Sequence, residues 1–443
     1  MISKKLINNI KNNWYKIYFL ISVIFMVFIY GTMVGRYQIF PYQLIHNAKM
    51  AAEDWLKDDN YKHYAKIRPE KFINPARFSG NGVTINSIDK AYDGYTLITS
   101  MWQDTSGFKL VDMDGTEIHN WRVSYNEAFP FDSTDIYLTD WDVGIHGSVL
   151  YPNGDIVFNF HSYGLVKIDK NSTILWKLKG NYHHSIYKDE TGSLWIPGRK
   201  SVNNLYIKHP LLHPPYHEDY ICEISPDGEL LKRVSLLDIF YKSGMESLLF
   251  ADGTFATEKP ANDITHLNDI DILGSEFASQ FPLFNAGDIM VSMRNLNLIM
   301  ILDAATFQIK WSMTGPYIKQ HDPDFTPDGG ILVFDNRSDY SGGVILGGSR
   351  ILRIDPVNRN VNIAYQGDSE NRFYTNIAGK QQLLSNSNIL ITEYEGGRVF
   401  EVNEDGEIVW TFINRYGEGE VYSITDALRI SKNYFTFLST NDY

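Results

Sequence analysis

The sequence predicts an all-β protein: a six-bladed β-propeller on an N-terminal transmembrane helix and a short helical stalk. Three observations carry this expectation. A unit of two hairpins recurs six times after about residue 82. A single uncharged run is long enough to cross a bilayer. The chain also combines 33 Gly with 44% hydrophobic residues over 443 positions, too apolar for disorder and rich in turn formers.

The N-terminal element comes first. Residues 17–34, IYFLISVIFMVFIYGTMV, hold no charge over 18 positions, about the length a helix needs to span a hydrocarbon core. Lys4, Lys5, Lys11 and Lys16 precede the run and Arg36 follows it. The positive-inside rule therefore places residues 1–16 in the cytoplasm and the body on the periplasmic or extracytoplasmic side. The run is long for a cleaved leader and no A-x-A-like site follows, which favours a single-pass signal anchor. Residues 35–80 are expected to form a juxtamembrane stalk, with 43–62 amphipathic and helical, and residues 81–443 the propeller.

Each repeat has two halves. The second reads as an apolar pair, an acidic or polar residue, a turn and another apolar pair: FKLVDMDGTEIHNW (108–121), GLVKIDKNSTILW (164–176), YICEISPDGELLKRV (220–234), LIMILDAATFQIKW (298–311), RILRIDPVNRNVNIAY (350–365) and RVFEVNEDGEIVW (398–410). The first half is a hairpin with its tip at Asp93-Gly94, Asn153-Gly154, Thr191-Gly192, Ala286-Gly287, Asp328-Gly329 or Asn386-Ser387. Two hairpins make a four-stranded blade, and six blades around an axis manage their sheet edges by repetition. Trp121, Trp176, Trp311 and Trp410 recur at matching places, as bulky pegs between neighbouring blades.

Composition excludes several functions. With 40 Lys+Arg against 53 Asp+Glu the net charge is −13, which opposes general nucleic-acid binding. Cys222 is the only cysteine, so an intrachain disulfide, a multi-thiolate zinc site and a cysteine-held iron–sulfur cluster are ruled out; inside a strand-like run it reads as a packed side chain.

The chemistry lies in the repeat register. Eight residues before the second tip residue stand Asn86, His146, His184, His321 and Gly379, and His266 opens the corresponding segment of the fourth copy. Equivalent positions at the start of each first strand converge near the axis. Seven residues after the tips stand Met101, His161, Arg199, Arg294, Asn336 and Tyr394, so Arg199 is expected to face His184, and Arg294 to lie beside His266. Imidazole and guanidinium groups at one mouth describe an anion site. No HxxxH or HExxH spacing is present and arginines would repel a cation, so no metal and no cofactor are expected. His183, His209, His213 and His217 fall outside the register and are assigned to loops, while Asp322 either orients His321 or caps its strand.

The segments HHSIYKDETGSLWIPGR (183–199), THLNDIDI with GDIMVSMRNLNLIMILD (265–303) and QHDPDFTPDGGILVFDN (320–336) resemble the arylsulfate sulfotransferase family, six-bladed bacterial propellers that move a sulfuryl group between phenols without a nucleotide donor. The resemblance covers most of residues 80–415 and implies His321 as nucleophile, with His184, His266 and Arg294 as helpers. Arg199, His146, Asn336 and Asn268 are the expected substrate-binding residues. The chain departs from the family in keeping its anchor, in lacking a cysteine pair, and in having LND where an LNS-type sequence is common.

The implied partners are an aryl sulfate, a phenolic acceptor and the membrane around the N-terminal helix; the anchor is also compatible with a homo-oligomer or a membrane-complex partner. Two other readings stay open on the residues: a tethered propeller that only binds or scaffolds within an envelope assembly, and a quinone-cofactor or sugar dehydrogenase propeller.

Overall fold

A computed structural model describes residues 4–37, 40–41, 68–131, 138–204, 208–210, 212–250, 263–339 and 341–438. The amphipathic stalk expected at 43–62 lies outside these residues. The chain divides into two units, Met1–Lys66 and Ile67–Tyr443.

In the first unit Lys4–Tyr37 form one helix. Its segment Asn13–Val34 has a mean hydropathy of 2.3 and is apolar and long enough to cross a membrane, as a membrane anchor or a signal sequence. A helix exposing Phe19, Phe25, Met26 and Phe28 has no stripe to bury against a globular core, so its apolar surface suits lipid.

The second unit is all-β. Its described residues form seven antiparallel sheets: five of four strands, one of five and one of three. The second sheet is typical: Ile145–Leu150, Ile156–Phe160, Gly164–Ile168 and Ile174–Lys179 pair in chain order. The third runs from Tyr187–Lys188 to Leu230–Ser235, the fourth from Leu267–Ile272 to Ile309–Thr314, the fifth from His321–Phe325 to Val361–Gln366.

The first and sixth sheets differ from expectation. The strand Gly82–Asn86 does not join Tyr95–Trp102; it adds a fifth strand to the sixth sheet by pairing with Ile408–Ile413. The inner place in the first sheet is taken by the C-terminal strand Ile424–Ile430, paired with Tyr95–Trp102. Segments near both ends of the body are thereby stitched across the chain, covering one edge each of Ile408–Ile413 and Tyr95–Trp102. The seventh sheet is also unforeseen. Ile73–Pro75, Glu420–Tyr422 and Arg415–Gly417 form it, so residues 68–80 belong to the body and not to a stalk.

The core explains why inner strands such as Ile331–Asp335 read as continuous apolar runs. Ile331 and Val333 pack toward the fourth sheet, whereas Leu332 and Phe334, on the opposite face, pack toward the sixth. Six apolar clusters fill the spaces between successive sheets, and the last, holding Trp410, Val399, Ile98 and Ile424, joins the sixth sheet to the first. The arrangement is propeller-like. Cys222 is part of one such cluster, and burial pushes its thiol up to about 12, leaving it inert.

The recurrent tryptophans do more than fill space. Each donates its indole N–H to a turn carbonyl of the following sheet: Trp121 to Gly154 (3.0 Å), Trp176 to Pro226 (3.0 Å), Trp311 to Pro356 (3.0 Å) and Trp410 to Met113 (2.9 Å). The recurrent polar residue before each turn has a local role, since Asp112 Oδ1 accepts from the amides of Asp114 and Thr116, and Asp169 Oδ1 from those of Asn171 and Thr173. Because fully buried Trp410 closes the circle, Trp410→Ala is expected to cost about 3–5 kcal/mol, and Trp410→Phe, which loses chiefly the hydrogen bond, about 1–2. Urea unfolding followed by fluorescence or circular dichroism measures both.

Candidate active site

The strand starts that face one another are not regular. Register shifts interrupt the innermost strands between Ile145 and Ser148, Leu267 and Asp269, His321 and Asp324, and Ile424 and Asp426. A bulge at such a place turns the first side chain out of the ladder and re-aims it. His184 (φ 61°) and His266 (φ 51°) sit in the left-handed region that a β-carbon disfavours, a sign of backbone held in place by its surroundings. The close approach of Gly147 contributes: a Cβ there would lie 2.2 Å from the His184 carbonyl oxygen. Asn159 Nδ2 donates to that same oxygen at 2.7 Å.

These devices bring His146, His161, His184, His266, His321 and Arg294 around one cavity of about 310 Å³, closed further by Lys71, Phe72, Tyr394 and Thr425. Ring centroids are 4.4 Å apart for His146 and His184, 5.1 Å for His184 and His266, and 6.2 Å for His184 and His321. The predicted register therefore does gather the four histidines, and Arg294 lies beside His266 as expected, its amide donating to the His266 carbonyl at 3.0 Å.

His321 is the most constrained. Asn336 Nδ2 donates to the carbonyls of Thr375 (3.0 Å) and Ala378 (2.7 Å), which leaves Asn336 Oδ1 as an acceptor facing His321 Nδ1 at 2.7 Å. The proton must then reside on Nδ1, and Nε2 keeps its lone pair. Burial, reinforced by the positive charge of Arg294, pulls the His321 imidazole down to about 3. A neutral imidazole with its tautomer set is a nucleophile at neutral pH. The pH dependence follows: an ordinary imidazole would be about 97% protonated at pH 5, but His321 stays neutral there. Turnover by this group is therefore expected to change less than about three-fold between pH 7 and pH 5, read from a pH profile of kcat/KM; a thirty-fold fall would remove the assignment.

The imidazoles of His146, His161 and His184 are held neutral too. Burial first, and neighbouring imidazoles second, hold His184 and His146 well below the ordinary range; burial with the charges of Lys71 and Arg199 brings His161 to about 3. Of the two forms of His184 compatible with an anion site, protonated or donor-oriented, enclosure favours the second. His266 is held by Asp263: burial would raise that carboxyl, but the His266 Nδ1 hydrogen bond and the Arg199 charge pull it below its usual value. Arg294 brings a positive charge to the wall, as does Lys71, and among the described residues no carboxylate lies within ion-pair distance of Arg294.

Several predicted roles are corrected. Arg199 does not face His184; its guanidinium is locked between Asp219 (2.8 Å) and Asp263 (2.9 Å), because the long strand Leu194–Val202 pairs Arg199 with Asp219. Asn336 holds His321 and does not line the cavity. Asn268 lies one layer deeper, donating to the Gln320 carbonyl (2.7 Å) and lining a passage only about 20 Å³ in size with Asp269, Asp322 and Lys380. Asp322 neither orients His321 nor caps its strand; it accepts from the Gln381 amide (2.8 Å) and pairs with Lys380 (3.2 Å), tying the fifth sheet to the sixth. Asn86 is remote, bonded to Asp114, since its strand moved to the sixth sheet. His183, assigned to a loop, is fully buried with Nδ1 2.7 Å from His184 Nδ1, and His209 is buried against Asp238.

Register counting reached His161 but gave it no role, and it missed Lys71, Phe72 and Thr425. In the first sheet Ser423 occupies the histidine place and Thr425 that of Asn268, since Ser423-Ile-Thr-Asp426 repeats the three-residue spacing to an aspartate seen in His266–Asp269 and His321–Asp324. That echo was the available signal.

Fold and site together define an all-β protein of propeller-like sheets whose bulged inner strands converge on one cavity with neutral imidazoles and an arginine. The family model described as Arylsulfotransferase (ASST) matches residues 147–415, and the chain belongs to that family. No curated protein sequence matches the chain. Among solved structures, the chain is similar to a protein of unknown function from Bacteroides caccae (12% identity, 76% of this chain and 98% of that one, TM-score 0.47). It is also similar to TolB from Acinetobacter baumannii (12%, 76% and 68%, TM-score 0.43) and virginiamycin B lyase from Staphylococcus aureus (11%, 78% and 88%, TM-score 0.40). These likenesses are distant, and no functional assignment rests on them.

Proposed function

We propose that this protein is a membrane-anchored sulfuryl transferase that moves a sulfuryl group from an aryl sulfate to a phenolic acceptor through a sulfohistidine at His321. The observation that carries this reading is the Asn336–His321 pair, which sets a buried imidazole in the nucleophilic tautomer beside Arg294. The six larger sheets act as the six blades of the propeller, the three-stranded sheet is an addition at the mouth, and the N-terminal helix holds the body on the extracytoplasmic side.

In the first half-reaction the His321 Nε2 lone pair forms a bond to sulfur as the S–O bond to the aryl group breaks; the departing phenolate takes a proton delivered through His266 or His184. The sulfohistidine keeps its proton on Nδ1, which donates it in a hydrogen bond to Asn336 Oδ1. In the second half an incoming phenol returns its proton to the imidazole that supplied one to the phenolate, its oxygen bonds to sulfur, and the N–S bond breaks to restore His321. Arg294 meets the charge on the peripheral sulfonate oxygens throughout. Phe72 and Tyr394 supply aromatic wall for an aryl group.

The test is direct: incubating the full chain with a 35S-labelled aryl sulfate and no acceptor should leave one acid-labile label on the segment containing His321, discharged on adding a phenol. Absence of label, with aryl sulfate bound but intact, would leave the scaffold reading in place.

A further inference from the structure

We infer that His146, His161 and His184 form a second, separable capability of this cavity: a three-imidazole site for a borderline transition-metal dication, represented by Zn2+. One ring nitrogen from each residue lies within 4.8 Å of one from each of the others. Ligands about 2.0–2.1 Å from a common zinc ion stand somewhat over 3 Å apart, so small ring movements suffice.

The three rings come from a rigid platform. Ile145 pairs with Phe160, and the His161 amide donates to the Gly144 carbonyl at 3.0 Å, so His146 and His161 flank one rung of the second sheet, their Nδ1 atoms 2.9 Å apart. His184 is brought to them from the third sheet by Asn159, two residues before His161, whose amide bonds the His184 carbonyl. His183 holds His184 Nδ1, which leaves Nε2 for a ligand and supplies the outer partner that metal-binding histidines usually have. An all-imidazole set favours Zn2+, Cu2+, Ni2+ or Co2+ over Ca2+ or Mg2+, which require oxygen ligands. The fourth position would open into the cavity.

An anion site needs donors and one cation; it does not need two further imidazoles, His146 and His161, packed tilted and edge-on against His184. Sequence spacing gave no cue, because the ligands come from separate strands of two sheets. Arg294 lines the same cavity and opposes a dication electrostatically, so metal and aryl sulfate are expected to exclude one another. That consequence rests on the proposed transferase reading; the metal site does not.

The experiment uses the full chain in detergent, stripped with a chelator. Titration against a chromophoric chelator is expected to show one Zn2+ retained per chain, and Co2+ to give a visible d–d band from nitrogen ligation. His161→Asn and His146→Asn should each weaken Zn2+ binding beyond the roughly 10–100-fold that loss of an outer partner costs. Arg294→Gln should strengthen it. Zn2+ should inhibit aryl sulfate turnover competitively in the unmodified chain. Unchanged Zn2+ binding in both histidine variants, each shown folded by circular dichroism, or no stoichiometric binding at all, would overturn the site. Binding without competitive inhibition overturns the exclusion of aryl sulfate, and metal binding with no turnover in the stripped protein overturns the transferase reading while the site stands.

Discussion

His321→Asn is expected to lower transfer from a chromogenic aryl sulfate by at least about 10⁴-fold, the scale on which enzymes lose turnover when a nucleophile or its tautomer control is removed. The reason is local. His321 is the imidazole whose Nδ1 proton is set by a side-chain carbonyl oxygen, Asn336 Oδ1, itself fixed by two backbone carbonyls on its amide nitrogen. Asparagine at 321 keeps polarity and approximate volume but offers no basic lone pair to sulfur. The variant should also take no 35S label, and a burst of phenol should vanish with it. Asn336→Ala separates chemistry from positioning: it leaves the nucleophile in place but frees its tautomer, so kcat should fall while KM changes little. Residual turnover of His321→Asn within ten-fold of the parent would transfer the nucleophile's role to another ring.

Arg294→Gln is expected to cost about 10²–10³-fold in kcat, corresponding to the roughly 2.7–4 kcal/mol lost with one preorganised donor of a developing anion. Its guanidinium lies in the cavity wall beside His266 and is not consumed by a carboxylate among the described residues, whereas Arg199, Arg350, Arg398 and Arg429 each pair with one. In a cavity where the rings of His146, His161, His184 and His321 are neutral, the guanidinium contributes strongly to the field at the sulfonate. Arg294→Lys should recover part of the loss, since charge returns without the planar fork. Arg199→Gln provides the contrast: it should reduce stability, by stranding Asp219 and Asp263, more than it reduces transfer by the surviving folded protein.

The two arginines show where sequence reasoning stops. Both occupy the same repeat position, seven residues past a tip glycine, and both were assigned to the anion site. In the fourth sheet a short turn follows the strand and leaves Arg294 beside His266, whereas in the third the strand continues as Leu194–Val202, pairs Arg199 with Asp219 and spends its charge there. His183 tells the same story from the other side, out of register yet buried against His184. Most strands and turns were legible because glycine and aspartate turns punctuate apolar strands, and the tryptophan positions were legible because each sheet must bury the same face against its neighbour.

What the sequence determined by itself is therefore the local and periodic part: strands, turns, the apolar N-terminal helix, the recurrence of histidine at strand starts, and the family segments around His184, His266 and His321. Tertiary structure alone decided how the circle closes, with Ile424–Ile430 entering the first sheet and Gly82–Asn86 the sixth, and which side chains the bulges turn inward. The physical reason is that turn chemistry and two-residue periodicity act between near neighbours along the chain. Edge pairing, bulges and charge pairing are settled by partners hundreds of residues away, whose identity no local pattern carries.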